Sequence, residues 1–447
     1  KKSLLPLFLL FPALSLSASL VSMDRAEEIA DTFVKPPKFF QVQVGPQGKY
    51  LTYIGFEDST GKKRIYSMDL STLDTDERQI RYRYDGRPNF EITTYLWIDK
   101  ENLFYSNSRT DRFSGGSFYS PGDLRGGNEV VLDDMGGLSL LDPVLTKERF
   151  SLWNRHRSGN IDKADPFPDV IQVDMRKGAF IELVENPGNI EQWITDTKGR
   201  VRIGLFDAGK GAGVLYREDE DAEWKRVTAP GPYEFSSNSN APRVANAMSL
   251  LAFLPGDRQM LTLVQNDEGL SGLQIIDTGT WETVGNPIFR EPYSLDEGYV
   301  LRHHANDYPV GYLYHSEKPQ RLYLDKGYRG LAAALDKAMP DTNNAILGFT
   351  ESGEYAIIHS RGDTQPGVVS KLHLQEGTLE PVIVQRAWID REKLSPMEPI
   401  SFEARDGERI HGYLTLPSGG KAEGPYPLIP IVHGGPAVRD TWGYRPE

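Results

Sequence analysis

The chain contains no cysteine among its 447 residues. This absence excludes disulfide bonds, a cysteine nucleophile, cysteine-ligated zinc, iron–sulfur clusters and a bacterial lipoprotein anchor. Basic residues are in deficit, because 50 Lys and Arg stand against 63 Asp and Glu, for a net charge of −13. Since phosphate binding needs clustered Lys and Arg, we expect no nucleic-acid partner. The eight histidines show no zinc-peptidase spacing, so we expect no metal and no other cofactor.

No apolar run in the sequence is long enough for a transmembrane helix. The N-terminus nevertheless contains a short apolar run, residues 3–11. It follows Lys1 and Lys2, leads into small residues up to Ser19, and falls short of the ~20 residues that span a bilayer. This pattern predicts a secretory signal peptide over residues 1–22, with a membrane anchor as the alternative. We therefore expect a periplasmic or secreted protein without membrane association after cleavage. Because the first residue is Lys and not Met, the true start is expected upstream.

The long middle of the chain repeats one hairpin pattern, in which a polar turn separates two apolar or aromatic runs. The five clearest copies lie at residues 44–53, 97–105, 193–201, 253–261 and 349–357. A second pattern ends an apolar run with Asp69, Asp174 or Asp277, which recur at intervals of 105 and 103 residues. Two propeller blades of ~40–50 residues each produce such an interval.

These repeats predict a mostly β protein with a propeller of about seven blades over residues 38–390, preceded by a helical lead-in over residues 23–37. The alternative is two or three β-sandwiches, which would not need the same hairpin to recur so regularly. One helix is expected at Gly330–Met339, where Leu331 and Leu335 share a face, and it would pack between blades.

The last part of the chain, residues 391–447, differs in character and predicts the first strands of an α/β-hydrolase domain. Residues 400–417 suggest two strands around the Asp406-Gly407 turn. The run Leu428–Val432 has no polar alternation, which is typical of a strand buried on both faces. Within these 447 residues it lacks the sheet neighbours that would bury it, so we expect an exposed apolar strand. It leads into a loop of four residues that we take as the candidate site: His433, Gly434, Gly435 and Pro436.

A His-Gly-Gly loop after a buried strand is the oxyanion element of α/β-hydrolases. Glycine lets the backbone approach a substrate carbonyl, because no Cβ stands in the way. The residue before proline is restricted to extended conformations, so Pro436 helps to direct the Gly435 N–H. A plain Gly-Gly-Pro turn is the alternative reading of the same four residues.

Together, residues 406–417 and 433–444 resemble the prolyl oligopeptidase family, in its acylaminoacyl-peptidase and dipeptidyl-aminopeptidase branch. The order of propeller and hydrolase matches that family. The resemblance implies a serine peptidase that hydrolyses short peptides with a Ser-Asp-His triad, while the propeller limits access to the site. It also implies that the backbone N–H of Gly435 serves the oxyanion hole, with His433, Gly434 and Pro436 shaping the loop.

The chain has no Gly-x-Ser-x-Gly sequence, and the family's serine, aspartate and histidine all follow the His-Gly-Gly-Pro loop. The triad is therefore expected beyond Glu447, and these 447 residues alone are expected to be inactive. Two other functions remain open at this point. One is an esterase-type hydrolase, since the loop serves any acyl transfer, and the other is a propeller that only binds a ligand.

Overall fold

The computed structural model describes residues 23–57, 61–75, 80–83, 90–109, 115–126, 128–130, 137–145, 147, 150–156, 166–208, 212–236, 246–417, 425–435 and 439–445. The predicted signal peptide, residues 1–22, lies outside them. The first described element is the helix α1 (Met23–Val34). In these parts of the chain, no helix is both long and apolar enough to cross a membrane.

Thirty strands in the described residues form seven sheets and one final hairpin. Blades 1 and 2 contain β1 (Phe39–Val44), β2 (Tyr50–Phe56), β3 (Lys63–Asp69), β4 (Ile80–Arg83), β5 (Phe90–Trp97), β6 (Asn102–Arg109), β7 (Gly115–Pro121) and β8 (Asn128–Val130). Blades 3 and 4 contain β9 (Gly137–Asp142), β10 (Phe150–His156), β11 (Asp169–Asp174), β12 (Ala179–Val184), β13 (Ile190–Thr195), β14 (Val201–Asp207), β15 (Ala212–Tyr216) and β16 (Lys225–Val227).

Blade 5 has five strands, and blade 6 has three. These are β17 (Glu234–Phe235), β18 (Ala247–Phe253), β19 (Gln259–Gln265), β20 (Ser271–Asp277) and β21 (Glu282–Ile288), then β22 (Tyr299–Arg302), β23 (Pro309–His315) and β24 (Pro319–Tyr323). After the helix α2 (Lys326–Ala338), blade 7 contains β25 (Asn343–Phe349), β26 (Tyr355–Arg361), β27 (Val368–His373) and β28 (Leu379–Val384). The hairpin is β29 (Met397–Glu403) with β30 (Arg409–Thr415). The predicted propeller of seven blades is confirmed.

The five predicted hairpins are confirmed, and each joins the first two antiparallel strands of its blade. They join the pairs β1–β2, β5–β6, β13–β14, β18–β19 and β25–β26. Glycine at the turn supplies the positive φ that tight hairpins require, as at Gly199 with φ of 73° and Gly353 with φ of 70°. The local turn chemistry therefore recurs because five of the seven blades begin their antiparallel strands with the same supersecondary unit.

The spacing of the three aspartates is explained by the order of the sheets. Asp69, Asp174 and Asp277 end β3, β11 and β20. These are the third antiparallel strands of blades 1, 3 and 5, where the short parallel strand β17 precedes the antiparallel strands of blade 5. Each carboxylate accepts a backbone N–H two residues ahead, at 2.9, 3.0 and 2.8 Å. A short acidic side chain at this position closes the turn to the next strand. The two-blade interval predicted from the sequence is thus confirmed.

The hydrophobic core is divided among the junctions between neighbouring blades. At the junction of blades 1 and 2, Ile54 and Ile65 pack with Tyr95. At the junction that closes the ring, Leu51 of blade 1 packs with Ile357 of blade 7. Since every described blade is built from strands consecutive in the chain, the ring closes through packing and hydrogen bonds between its first and last blades.

Helix α2 packs against β24 and β25, and so lies between blades 6 and 7, as predicted. It begins four residues earlier than the sequence pattern indicated, because Asp325 caps it. The Asp325 carboxylate accepts the N–H groups of Gly327 and Tyr328 at 2.8 and 3.0 Å. Tyr328, Ala332 and Leu335 form its buried face.

We expect Asp325→Ala to lower the free energy of unfolding by about 1 kcal/mol, because two N–H groups of the first turn lose their acceptor. Asp325→Asn retains an acceptor and should lose only a fraction of that amount. Urea denaturation followed by circular dichroism measures both. Equal losses in the two variants would contradict a capping role.

Candidate active site

The hairpin predicted around Asp406 and Gly407 is formed by β29 and β30, which pair from Met397–Thr415 to Glu403–Arg409. Gly407 has a φ of 88°, a conformation that favours glycine. The hydroxyl of Tyr413 donates to the carbonyl oxygen of Glu317 at 2.7 Å. The hairpin is therefore fixed to the turn between β23 and β24 of blade 6.

The apolar run Leu428–Val432, which suits a buried strand of a hydrolase sheet, is exposed as expected for these 447 residues, but it forms no strand. Residues 425–433 form no helix or strand. Leu428, Ile429, Ile431 and Val432 are 74–85% exposed. A strand buried on both faces needs hydrogen-bonded neighbours and covering side chains, and the described residues provide neither. Apolarity alone therefore did not determine burial here.

The candidate loop follows this exposed segment, and His433, Gly434 and Gly435 are exposed as well. In its Nδ1–H tautomer, His433 donates to the Gly434 carbonyl oxygen at 2.8 Å. Gly435 has a φ of 154°, which L side chains rarely adopt. Pro436 lies outside the described residues. The role of these four residues in an oxyanion hole stays a prediction.

The segment after the loop, residues 439–444, is docked on the propeller. The guanidinium of Arg439 lies 3.4 Å from the carboxylate of Glu297, which precedes β22. The indole of Trp442 is buried, and its Nε1–H donates to the carbonyl oxygen of Met397 at 3.1 Å. The backbone N–H of Tyr444 donates to the carbonyl oxygen of Gly362 at 2.9 Å. Blades 6 and 7 therefore hold the chain on the C-terminal side of the loop.

These anchoring points share one face of the propeller. Successive strands in a blade run in opposite directions, so the entry to the first strand and the turn between the second and third open on one face. Glu297 stands at the entry to blade 6, Glu317 at its second turn, and Gly362 at the second turn of blade 7. The candidate loop is thus attached to this face.

A cavity of about 380 Å³ lies elsewhere, among the first turns of blades 1 and 2. Tyr50, Trp97, Lys100 and Arg125 are among its lining residues. First turns open on the face opposite to the second turns. This cavity is therefore separate from the candidate loop, and we assign it no part in the chemistry.

The adjacent histidines His303 and His304 lie in an aromatic cluster. Their rings stack at 4.9 Å, and His303 also stacks on Tyr308 at 4.8 Å. Burial, with the neighbouring His303, lowers the pKa of His304 to about 4. Burial, together with Arg361 and Arg321, lowers the pKa of His359 to about 3. Among the described residues, no group of three or more His, Asp or Glu side chains could hold a metal ion.

The low pKa of His359 predicts a loss of stability in acid. The unfolded chain takes up this proton near pH 6.5 and the folded chain only near pH 3, so the free energy of unfolding falls as the pH falls between them. We expect His359→Gln to flatten the dependence of the urea midpoint on pH over this window. His411→Gln, on the exposed hairpin, is the matched control. Parallel pH curves for wild type and His359→Gln would contradict the prediction.

The sequence patterns did not identify the propeller residues that hold the segment 439–444. Glu297 and Gly362 lie in ordinary connections of the blades, and no local pattern relates them to Arg439 and Tyr444, which are 142 and 82 residues further along the chain. Trp442 and Tyr444 fall within the residues that carry the family resemblance, so that resemblance was the available signal. Their position on blades 6 and 7 required the structure.

No protein-family model matches the chain. Solved structures with the same fold include one from a study of two prolyl endopeptidases, at a TM-score of 0.56 and 11% identity, covering 89% of this chain and 57% of that one. Oligopeptidase B of Leishmania major matches at a TM-score of 0.53 and 10% identity, over 90% and 56%. A puromycin hydrolase matches at 0.53 and 12%, over 93% and 65%. The fold is therefore that of the propeller-bearing prolyl oligopeptidases.

In sequence, the chain is similar to dipeptidyl aminopeptidase BIII of Pseudoxanthomonas mexicana, with 21% identity over 467 residues. The match covers 97% of this chain and 61% of that enzyme. The resemblance to the prolyl oligopeptidase family inferred from residues 406–417 and 433–444 is confirmed.

Proposed function

We propose that this chain supplies the propeller and the oxyanion loop of a serine peptidase that hydrolyses short peptides. The observation that carries the proposal is the His433–Gly435 loop with Gly435 at a φ of 154°, attached to one face of a seven-bladed propeller. A backbone N–H presented by glycine can approach the carbonyl oxygen that becomes negatively charged during acyl transfer. Similarity to a dipeptidyl aminopeptidase over 97% of the chain supports peptides as the substrate class.

The nucleophile, its base and the orienting acid are proposed to lie beyond Glu447. The chain spans 61% of the length of the dipeptidyl aminopeptidase that it matches, so the remaining part of such a protein could hold them. The 447 residues contain no Gly-x-Ser-x-Gly elbow. We therefore expect no hydrolysis by the 447-residue chain alone.

The propeller is proposed to limit access, so that short peptides enter and folded proteins do not.

Export to the periplasm or medium is proposed from residues 1–22. Export is checked by fractionating cells that express the protein and by sequencing the N-terminus of the mature chain. An uncleaved cytoplasmic product would contradict it.

The experiment that tests the function is to sequence the gene past the codon for Glu447 and to express the whole product. We expect a Gly-x-Ser-x-Gly elbow followed by an aspartate and a histidine. Release of arylamine from aminoacyl- and dipeptidyl-arylamides, abolished by replacing that serine with alanine, would support a serine peptidase. Activity on short-chain aryl esters without any on arylamides would replace the peptidase by an esterase. A stop codon after Glu447 would leave a binding propeller.

A further inference from the structure

We propose that the propeller itself positions the oxyanion loop by holding the side chain of Trp442, which follows the loop. The clamp consists of Trp442, Lys318, Gly362 and Met397, and Lys318 and Trp442 are its positioning residues. This inference rests on the proposed function and adds to it a means by which blades 6 and 7 act on the reaction.

The indole of Trp442 is held from several directions. It is only 6% exposed, and its N–H donates to the Met397 carbonyl oxygen at 3.1 Å. The ammonium of Lys318 lies 4.4 Å from the centre of the ring, within the range of a cation–π interaction. The backbone N–H of Met397 in turn donates to the Asp363 carboxylate at 2.8 Å, which ties the clamp to blade 7.

Gly362 provides the space for the indole. A Cβ at this position would lie 2.7 Å from the Asp341 carbonyl oxygen and 3.2 Å from Cη2 of Trp442. The Gly362 carbonyl oxygen also accepts the N–H of Tyr444 at 2.9 Å. Glycine is therefore required for the close approach of backbone and ring.

The clamp is close enough to restrict the loop. Arg439 is the fourth residue after Gly435, and an extended chain covers at most about 14 Å over four residues. Arg439 is itself held by Glu297 at 3.4 Å. On the other side of the loop, residues 425–433 form no helix or strand, and all of them except the half-buried Tyr426 are exposed. The docked segment 439–444 therefore limits how far Gly435 can lie from blades 6 and 7.

The first test is kinetic and uses the full-length protein. Lys318→Ala removes the cation–π contact, and we expect kcat on an arylamide to fall about fivefold at unchanged KM. Lys318→Arg preserves the contact and should restore kcat. Lys63→Ala is the matched control, because the Lys63 ammonium lies 5.9 Å from the centre of the Phe40 ring in blade 1. An unchanged kcat in Lys318→Ala, or an equal loss in Lys63→Ala, would overturn the proposal.

The second test does not require catalysis. Because the 447 residues contain no cysteine, Gly434→Cys offers a single site for a nitroxide label once any cysteine beyond Glu447 is replaced by serine. Among the described residues, no atom lies within 4 Å of a Cβ added at Gly434, which leaves room for a label. We expect sharper spectral lines from the label in Lys318→Ala and Trp442→Ala than in the parent, with Lys63→Ala unchanged. Identical spectra in all variants would overturn the clamp.

The two tests separate the clamp from the function. Sharper lines in Lys318→Ala and Trp442→Ala would support the clamp even if the full-length protein had no peptidase activity. The lack of activity would contradict only the proposed function. Sharper lines together with an unchanged kcat in Lys318→Ala would show that the clamp holds the loop without affecting the reaction. This result would overturn the positioning role of Lys318.

Discussion

Gly435→Ala in the full-length protein is expected to lower kcat for arylamide hydrolysis about 100-fold, with little change in KM. Gly435 has a φ of 154°, and a Cβ there forces the backbone to rotate. The N–H then points away from the oxygen that carries the negative charge. Loss of one oxyanion donor costs about 3 kcal/mol of transition-state stabilisation. The effect appears in kcat because this hydrogen bond is stronger in the transition state than in the bound substrate.

Gly330→Ala is the matched control for this experiment. Gly330 lies in helix α2, and no atom is found within 4 Å of an added Cβ. The same chemical change there should leave kcat unaltered and slightly raise stability, since alanine favours a helix. If Gly435→Ala stayed within threefold of wild-type kcat, its N–H would have no part in the oxyanion hole.

The largest expected loss of stability follows from Asp196→Asn, at the first turn of blade 4. The Asp196 side chain is fully buried, and the Arg202 side chain is 3% exposed, with the two charges 3.0 Å apart. Removing one partner of a buried ion pair leaves an uncompensated charge, which costs about 3–5 kcal/mol. The free energy of unfolding should fall by that amount, as measured in urea.

Asp277→Asn is the control, because Asp277 also accepts N–H groups of its turn but pairs with the exposed Arg258. We expect it to lose less than about 1 kcal/mol. Adding Arg202→Met to Asp196→Asn removes the unpaired cation and should recover part of the loss. Equal losses in the two single variants would show that turn hydrogen bonds, and not the buried charge, account for the effect.

The charge of Asp196 also gives the pH dependence of this stabilisation. Burial opposes ionisation, but hydrogen bonds from Arg200, Lys198 and Arg202 outweigh it and lower the pKa of the carboxyl below 3.8. Because the folded-state pKa is the lower one, the stabilisation is complete above about pH 4 and is lost as the pH falls through the folded-state value. The difference between wild type and Asp196→Asn should therefore shrink in strong acid.

For the candidate site, the sequence predicted the loop residues but not their surroundings. The His433–Gly435 pattern and the Asp406-Gly407 hairpin are local, since their backbone geometry depends on residues a few positions apart. The contacts of Trp442 with Lys318 and Gly362 join positions far apart in the chain. Such pairs leave no periodic signal in a single sequence.

By itself, the sequence determined the repeating hairpins, the two-blade interval of Asp69, Asp174 and Asp277, and the helix near Gly330. Turn chemistry, strand alternation and helical periodicity are short-range properties, so each is legible in a window of a few residues. Tertiary structure alone decided that Leu51 closes the ring against Ile357. It also decided that Leu428–Val432 forms no strand, because a strand needs hydrogen-bonded neighbours from distant parts of a sheet.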